Sequence, residues 1–288
     1  MEMIEQSVTS YKQKNFTLES AYKAVERAAR ICYNSTDKIT NDSYKSFIKM
    51  LRKNRHTAPF AFGTVHIHIP YNIFIPASRS YFNKITHKTI YTSNNDIVDF
   101  FDKLPDSWAR IYTIHHDFYI TTNLRVLEEW ENEQLEGNIS VLDLLKDYIT
   151  DGYPLDYFEE RPFVICTTNI AMSREFNRYS SLSICERSTR HVEANQIIKP
   201  LWYNENIDDK DRISDRISWI FDEYQRMIDN KTTKQVIRDI LPLCTVTEVA
   251  YIGFQDDWDW VINQRTSKGA HPQAQELAKL IKEEIYES

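Results

Sequence analysis

Apolar residues recur along this chain at two spacings, which predict helices in some segments and strands in others. Apolar positions at i, i+3, i+4 and i+7 indicate the buried face of a helix, whereas alternation with polar positions indicates a half-buried strand. The segments predicted as helices are 18–32, 42–55, 96–103, 140–149, 211–229, 234–240, 256–264 and a last helix that begins at Pro272. The segments predicted as strands are 64–69, 118–127, 162–168 and 245–252.

These elements are typical of a mixed α+β protein. A chain of 288 residues is long for one domain, but a single large α+β domain with an insertion can reach this length. The sequence contains no internal repeat, low-complexity tract or interdomain linker. We therefore predict one α+β domain over residues 1–288.

The acidic composition restricts the partners of this protein. Its net charge is −7 and its isoelectric point is about 5.7, so we expect no attraction to nucleic acid or to an anionic membrane through bulk charge. An anionic ligand would need a local positive pocket. The chain has only five glycines and lacks the GxGxxG and GxxxxGK[ST] motifs, which argues against a glycine-rich phosphate loop.

Cysteine usage and hydropathy predict a cytoplasmic protein. The four cysteines are far apart and form no CxxC pair, as is typical of a reducing compartment. The N-terminus lacks a signal-peptide pattern, and no apolar run approaches the ~18 residues of a membrane helix. The pairs His66/His68 and His115/His116 allow a metal site, but strand alternation and chance explain them better, so we expect no metal.

The stretch Ser173–His191 contains the densest candidate chemistry. It holds four arginines and two glutamates among several hydroxyl residues, and it follows a predicted core strand. Guanidinium groups can bind phosphate oxygens in a two-pronged manner, and short hydroxyls can fill the remaining positions. The stretch therefore suggests an anion site, with a solvated helix and loop carrying incidental ion pairs as the alternative.

Two further arginines and one cysteine are also candidates. Arg238 precedes a Leu-Pro-Leu segment, and Arg265 ends a predicted helix, where it can simply complement the helix dipole. Periodicity does not place either of them beside Arg190. Cys185 has cationic neighbours that could lower its pKa, but a small buried residue is the more frequent role. The residues alone thus indicate a site for a small anionic ligand, and they do not identify a nucleophile.

The segment from Arg178 to His191 resembles a divergent form of the signature of flavin-dependent thymidylate synthases, Arg-His-Arg-x-x-Ser-x-Asn-Glu-x-Ser-x-Arg-Tyr. The positions that match in register are Arg178, Ser183, Glu186, Ser188 and Arg190, and those that depart are Tyr179, Ser180, Cys185 and His191. Further segments resemble the family in the same order along the chain, namely 28–33, 56–69, 119–126, 238–243, 253–265 and 270–275. Within 56–69, Ala61-Phe62 stands where the family usually has Glu-His.

This resemblance implies a flavin-dependent thymidylate synthase-like fold, with a central mixed or antiparallel sheet flanked by helices and an insertion over residues 86–160. It implies a homotetramer that binds FAD and dUMP at subunit interfaces. Reduced flavin, recharged by NADPH, would help to move a methylene group from methylenetetrahydrofolate to C5 of the uracil. No enzymic cysteine attacks the base in that chemistry. The alternatives are a pyrimidine nucleotide hydroxymethyltransferase that uses flavin and folate, and a non-catalytic nucleotide-binding homologue.

The resemblance also assigns roles to individual residues. Arg190 and Arg265 would be catalytic, through charge-assisted contacts to the phosphate and to a polarised uracil carbonyl. The residues expected to bind dUMP are Glu175, Glu186, Ser188, Arg190, Arg238 and Arg265. The residues expected to bind FAD are His56, Arg178, Tyr179 and Ser180.

Overall fold

A computed structural model describes residues 1–71, 81–82, 89–90, 94–129, 141–151, 155–203 and 209–287. The insertion expected over residues 86–160 lies partly outside these ranges, as does Ser140 at the start of one predicted helix. None of the helices in the described ranges combines the length and the apolar character needed to cross a membrane.

Most helices follow the predictions, with shifts of a few residues at their ends, but the short helices Leu124–Glu129 and Ile170–Phe176 were not predicted. The α-helices of the described residues are α1 (Leu18–Cys32), α2 (Ser43–Lys53), α3 (Asn94–Asp102), α4 (Leu124–Glu129), α5 (Val141–Leu145), α6 (Ile170–Phe176), α7 (Lys210–Asp229), α8 (Lys234–Ile237), α9 (Gln255–Thr266) and α10 (Pro272–Tyr286). A 3₁₀ turn, Arg238–Ile240, continues α8, so the helical segment expected over 234–240 is confirmed.

The strands form two four-stranded antiparallel sheets and two short pairs. Those in the described ranges are β1 (Glu2–Ile4), β2 (Ser7–Ser10), β3 (Thr64–Ile69), β4 (Tyr81–Phe82), β5 (Thr89–Ile90), β6 (Arg110–Ile114), β7 (Asp117–Asn123), β8 (Ile149–Thr150), β9 (Phe163–Asn169), β10 (Ser183–Glu186), β11 (Gln196–Ile198) and β12 (Val246–Ile252). One sheet has the order β10-β12-β9-β2 and the other β6-β7-β3-β8, while β1 pairs in parallel with β11 and β4 pairs with β5. The α+β class is confirmed.

Helix α1 packs against both four-stranded sheets. Its residues Ala28 and Ile31 belong to a buried cluster with β9, β10 and β12, whereas Val25 belongs to a cluster with α2 and β3. Full burial of a side chain of the size of Val25 or Ile31 stabilises the fold by about 1.5–3 kcal/mol. The helix begins at Leu18 because Thr17 caps it, with Thr17 Oγ1 accepting a hydrogen bond from the main-chain N of Ser20 at 3.3 Å.

The sheet that contains β9 and β12 is covered on its other face by α6, α9 and α10. Val164 and Cys166 of β9 face these helices, whereas Phe163 and Ile165 face α1, as expected for alternating positions of a strand. Trp258 of α9 is fully buried in the helix-covered core. Strand β10 forms one edge of this sheet, which is covered by helices on both faces. Pairing with β12 fixes the position of β10 against α1.

The strand expected over 118–127 is wrong at its C-terminal end, because β7 stops at Asn123 and α4 begins at Leu124. Asn123 Oδ1 accepts a hydrogen bond from the main-chain N of Val126 at 3.2 Å and so caps the new helix. Leu124 also packs closely on Gly63, where an added Cβ would lie 2.7 Å from Leu124 Cδ1 and 2.9 Å from the carbonyl oxygen of Ala21. Tertiary packing therefore overrides the strand preference of the β-branched residues in this segment.

The helix expected over 140–149 is shorter than predicted. Helix α5 ends at Leu145, a 3₁₀ turn follows, and Ile149 begins β8, which pairs with β3. The sequence also failed to indicate β1, β2, β6, β10 and β11, which are short and offer few alternating positions. Strand β10 matters most, because it runs through the middle of the stretch Ser173–His191. The alternative of a solvated helix and loop is therefore wrong for this part of the stretch.

Candidate functional site

A cavity of about 380 Å³ lies where the C-terminal end of α1 meets the α2–β3 connection and β10. We call it the His56 cavity. Its walls include Cys32, Tyr33, His56, Cys185 and Glu186. The cavity therefore joins the segment expected at the flavin with the segment expected at the nucleotide.

The turn after α2 presents His56 to this cavity. Arg55 adopts the left-handed conformation (φ 56°), and the main-chain N of His56 donates to the carbonyl oxygen of Leu51 at 2.9 Å. His56 Nδ1 and Tyr33 Oη share a hydrogen bond of 3.2 Å, and partial burial raises the pKa of Tyr33. The Tyr33 ring also lies 5.7 Å from the ring of His191. Tyr33 thus connects two residues that are far apart in sequence.

The Glu186 carboxylate at the end of β10 is held by hydrogen bonds from two directions. Its Oε1 accepts from Thr247 Oγ1 at 3.0 Å, and its Oε2 accepts from Asn177 Nδ2 at 3.2 Å. Asn177 is oriented in turn by Tyr251 Oη, which donates to Asn177 Oδ1 at 2.8 Å. This network fixes the carboxylate at the cavity wall and connects it to the end of α6.

Two thiols, Cys32 and Cys185, lie in the cavity wall. A hydrogen bond between them lowers the pKa of Cys32, and the same bond together with burial raises the pKa of Cys185 well above its usual value. Cys185 is almost fully buried in the core beneath α1. The hypothesis that neighbouring cations lower the pKa of Cys185 is wrong, and the role of a small buried residue is confirmed.

Glu175 on α6 binds two of the candidate arginines. Its Oε2 accepts from Arg265 Nη1 at 2.8 Å, its carbonyl oxygen accepts from Arg265 Nη2 at 2.6 Å, and its Oε1 accepts from Arg178 Nη2 at 2.7 Å. Arg265 Nε is buried and has no hydrogen-bond partner in the described part of the chain. Arg178, by contrast, leaves 65% of its side-chain surface exposed. Glu175 therefore places a residue expected at FAD next to one expected at the nucleotide.

The ring of Tyr179 packs against the guanidinium group of Arg265. The guanidinium carbon of Arg265 lies 5.1 Å from the centre of the Tyr179 ring, and this ring meets Trp260 edge to face at 5.2 Å. Tyr179 is buried, whereas Ser180 is exposed. The FAD contacts expected of these two residues stay predictions.

Arg190 and Arg238 lie around α8. Arg190 Nη2 donates to Gln235 Oε1 at 3.0 Å, and its main-chain N donates to Ser188 Oγ at 3.3 Å. Arg238 has a distant contact with Asp239, with 3.8 Å between Nε and Oδ1, and 42% of its side-chain surface is exposed. Both guanidinium groups can therefore accept an anionic ligand without breaking a strong ion pair.

The residues expected to bind dUMP thus fall into two groups within the chain. Arg265 lies with Glu175, whereas Ser188, Arg190 and Arg238 lie around α8, and Glu186 is held separately by Asn177 and Thr247. No hydrogen bond or ion pair of the described residues connects the two groups. Their assignment to dUMP stays a prediction.

Three residues of this site were not singled out from the sequence. Tyr33 lies in the segment 28–33, where only the buried helix face carried a signal. Asn177 is one of several polar residues that follow α6, and its role depends on Tyr251, which is distant in sequence. Gln235 carries no sequence signal at all, because its contact with Arg190 exists only when α8 packs on that segment.

The exposed side chains of the site fit anionic organic ligands. Of the residues expected at FAD, His56, Arg178 and Ser180 are exposed and carry nitrogen or hydroxyl groups suited to phosphates and ring carbonyls. This donor set fits FAD, whereas Tyr179 is buried. Within the described ranges, no group of three or more His, Cys, Asp and Glu residues could hold a metal ion.

Comparisons with known proteins add a family match. A family model described as thymidylate synthase complementing protein matches residues 132–288, more than half of the chain. Two crystal structures of a UMP/dUMP methylase, PolB from Streptomyces cacaoi, also match. The one bound with 5-Br UMP has 13% identity over 98% of this chain and 89% of that chain (TM-score 0.43), and the one bound with 5-Br dUMP has 15% identity over 99% and 90% (TM-score 0.41). With TM-scores below 0.5, neither bears on the function of this chain. A comparison with curated proteins finds no match.

Proposed function

Because the chain belongs to the thymidylate synthase complementing protein family, we propose that it converts dUMP to dTMP, with methylenetetrahydrofolate as the one-carbon donor and FAD and NADPH as cofactors. The observation that supports a nucleotide here is the state of Arg265. Its Nε is buried without a partner while Glu175 holds the other two nitrogens. A buried donor in this state favours a ligand that supplies an acceptor.

The exposure of the three arginines suggests a division of roles in nucleotide binding. Arg265 is mostly buried, with 14% of its side-chain surface exposed. This degree of burial suits a contact to a neutral uracil carbonyl that gains charge during the reaction. Arg190 and Arg238 are more exposed and suit the doubly charged phosphate. Ser188 would add a hydroxyl beside them.

The His56 cavity would form the part of the site that binds the flavin. His56 would be oriented by Tyr33, and Arg178 and Ser180 would offer donors to the cofactor. Bound FAD, reduced by NADPH, would supply the reducing equivalent that turns a transferred methylene group into a methyl group. Glu186 would orient the nucleotide from the cavity wall, where Asn177 and Thr247 hold its carboxylate.

The separation of the two arginine groups supports a site that is completed between subunits. No hydrogen bond or ion pair of the described residues joins Arg265 to Arg190, and a nucleotide bound between neighbouring copies could engage one group from each. We therefore include a homotetramer with composite sites in the proposal. Small molecules, and neither nucleic acid nor a membrane, would be the ligands.

Product analysis tests this function. The purified protein is incubated with dUMP, methylenetetrahydrofolate, NADPH and FAD, and products are identified by mass spectrometry. We expect dTMP from the wild type and a loss of at least about tenfold in dUMP affinity for Arg190→Ala, as for the loss of one charged hydrogen-bonding partner. Arg212→Ala, an exposed arginine on α7, is the matched control. A hydroxymethylated product, or unchanged affinity in Arg190→Ala, would contradict the assignment.

One observation favours a second candidate, a homologue that binds nucleotides without flavin chemistry. Ala61 and Phe62, which replace the usual Glu-His pair, are buried in the core and offer no polar side chain to a cofactor. Uptake of FAD, followed by its absorbance, separates the candidates. A protein that binds dUMP but never takes up FAD would support the second candidate.

A further inference from the structure

A second cavity, of about 360 Å³, lies between the N-terminal half of α1, the start of β9 and the end of α10. We call it the Arg161 cavity, after the residue just before β9 in its wall. It shares no lining residue with the His56 cavity. It is therefore a separate space in the fold, which the proposed function does not use.

Arg161 is a buried cation with no carboxylate at ion-pair distance among the described residues, and the charge of Asp257 acts on it from farther away. It is 8% exposed, and its Nη1 donates to the carbonyl oxygen of Ala61 and to Thr64 Oγ1, both at 3.2 Å. Its Nε is buried without any partner, and no ion pair to Arg161 exists in the described ranges. Burial lowers the pKa of Arg161 to about 10, so the group stays charged at neutral pH.

Such an arrangement is unfavourable unless something compensates the charge. A buried guanidinium is normally paired with an acidic group, because leaving a charge uncompensated in the interior costs several kcal/mol, roughly 3–5 when one partner of a pair is removed. The ring of Phe254, 5.3 Å from the guanidinium carbon, and the more distant Asp257 both act on this charge without a hydrogen bond to it. Arg161 lines the cavity, so an anion bound there could pair with the guanidinium group.

The other charges of the wall disfavour a multiply charged anion. Glu160 and Glu284 also line the cavity, as does Lys12. Glu284 Oε1 accepts a hydrogen bond from the main-chain N of Ser10 at 2.8 Å, which holds it at the wall. Two carboxylates in the same space repel a doubly charged phosphate more than a monoanion, and a planar carboxylate matches the planar guanidinium.

The rest of the wall is suited to an apolar body. The rings of Tyr11 and Phe163 lie 5.2 Å apart, and Phe16, also in the wall, stacks on His66 at 3.7 Å. Aromatic walls around a small number of polar groups are typical of small-molecule sites. Neither aromatic stacking nor the neighbouring strands explain why a charged residue occupies this position.

We propose that the Arg161 cavity binds a small organic monocarboxylate, with its carboxylate on Arg161 and its apolar body against Tyr11, Phe16 and Phe163.

Benzoate is a suitable probe, because it combines a single carboxylate with a flat apolar ring. Isothermal titration with the full chain should give a Kd of about 1 mM or tighter, a modest affinity for so small a ligand. Two variants test the position. Arg161→Gln removes the charge, and Ala24→Leu fills the cavity while keeping Arg161. Each should weaken benzoate binding at least about tenfold, and circular dichroism should show which variants are folded.

Three results would overturn the proposal. The first is the absence of benzoate binding to the wild type, which would mean that water alone fills the cavity. The second is binding as tight as that of the wild type in either folded variant. The third is phosphate binding that equals or exceeds benzoate binding and is lost in the same variants, which would replace the monocarboxylate by a different class of anion.

Discussion

Arg265 and Glu175 are joined by two hydrogen bonds, one from Nη1 to the carboxylate at 2.8 Å and one from Nη2 to the main-chain carbonyl at 2.6 Å. The second bond anchors Arg265 to the end of α6, independently of the charge on Glu175. A residue on α9 is thereby tied to a residue ninety positions earlier in the chain.

Removing Arg265 should destabilise the fold as well as the candidate site. Arg265→Ala leaves the half-buried Glu175 carboxylate with only its bond to exposed Arg178, and we expect a loss of about 2–3 kcal/mol in the free energy of unfolding. Urea denaturation measures this change. Arg212→Ala breaks an exposed pair on α7 and should stay within about 0.5 kcal/mol of the wild type. Equal effects of the two substitutions would contradict this account.

Tyr251 should control the Glu186 carboxylate through Asn177. Tyr251→Phe removes a hydroxyl that donates to Asn177 Oδ1 at 2.8 Å and lies 3.3 Å from the carbonyl oxygen of Ser173, so we expect a loss of about 1–2 kcal/mol in stability. Because Asn177 loses its orientation, dUMP affinity should also fall severalfold. Affinity measured by titration, alongside thermal unfolding, checks both effects. A stability loss with wild-type dUMP affinity would show that Asn177 does not orient Glu186 for the ligand.

The cysteines should differ in their reactivity. The pKa of Cys32 is lowered by its hydrogen bond with Cys185, so a larger fraction is thiolate at pH 8, and the side chain is only partly buried. Burial raises the pKa of Cys166, and the hydrogen bond with Cys32 together with burial raises the pKa of Cys185. Iodoacetamide should therefore label Cys32 before these two in the native protein, as judged by peptide mass spectrometry. All four should react alike in denaturant, and early labelling of Cys185 would contradict the expected order.

Stability should depend on pH through His66. Its ring is stacked between Phe16 and Phe158, and burial lowers its pKa from 6.5 to about 3. Between those values the unfolded chain binds a proton that the folded chain does not. This contribution is therefore fully present above about pH 6.5 and is lost as the pH falls towards 3, with a magnitude on the order of 3–5 kcal/mol.

His66→Phe should reduce the slope of unfolding free energy against pH between about 3 and 6.5, because the titrating group is gone while an aromatic ring remains in the stack. Urea unfolding at several pH values measures this slope. His68→Phe, on the same face of β3, is the matched control, because His68 is paired with Asp117 near the surface. An unchanged slope in His66→Phe would exclude His66 as its source.

The sequence determined most helices and the α+β class by itself. The apolar face of α1 was readable because Val25, Ala28 and Ala29 follow helical spacing, and such spacing depends only on local geometry. The signature positions Glu186 and Arg190 were recognisable for a similar reason. Matching residue types at fixed spacings in a motif requires only the sequence and no knowledge of the fold.

The tertiary structure alone decided which of these residues meet. Strand β10 exists because β12 pairs with it, and α4 replaces a predicted strand because Leu124 packs on Gly63. The link from Tyr33 to His56, and the isolation of Arg161 in a separate cavity, depend on contacts between distant segments. No local pattern encodes such contacts, because burial and pairing arise only when the whole chain packs.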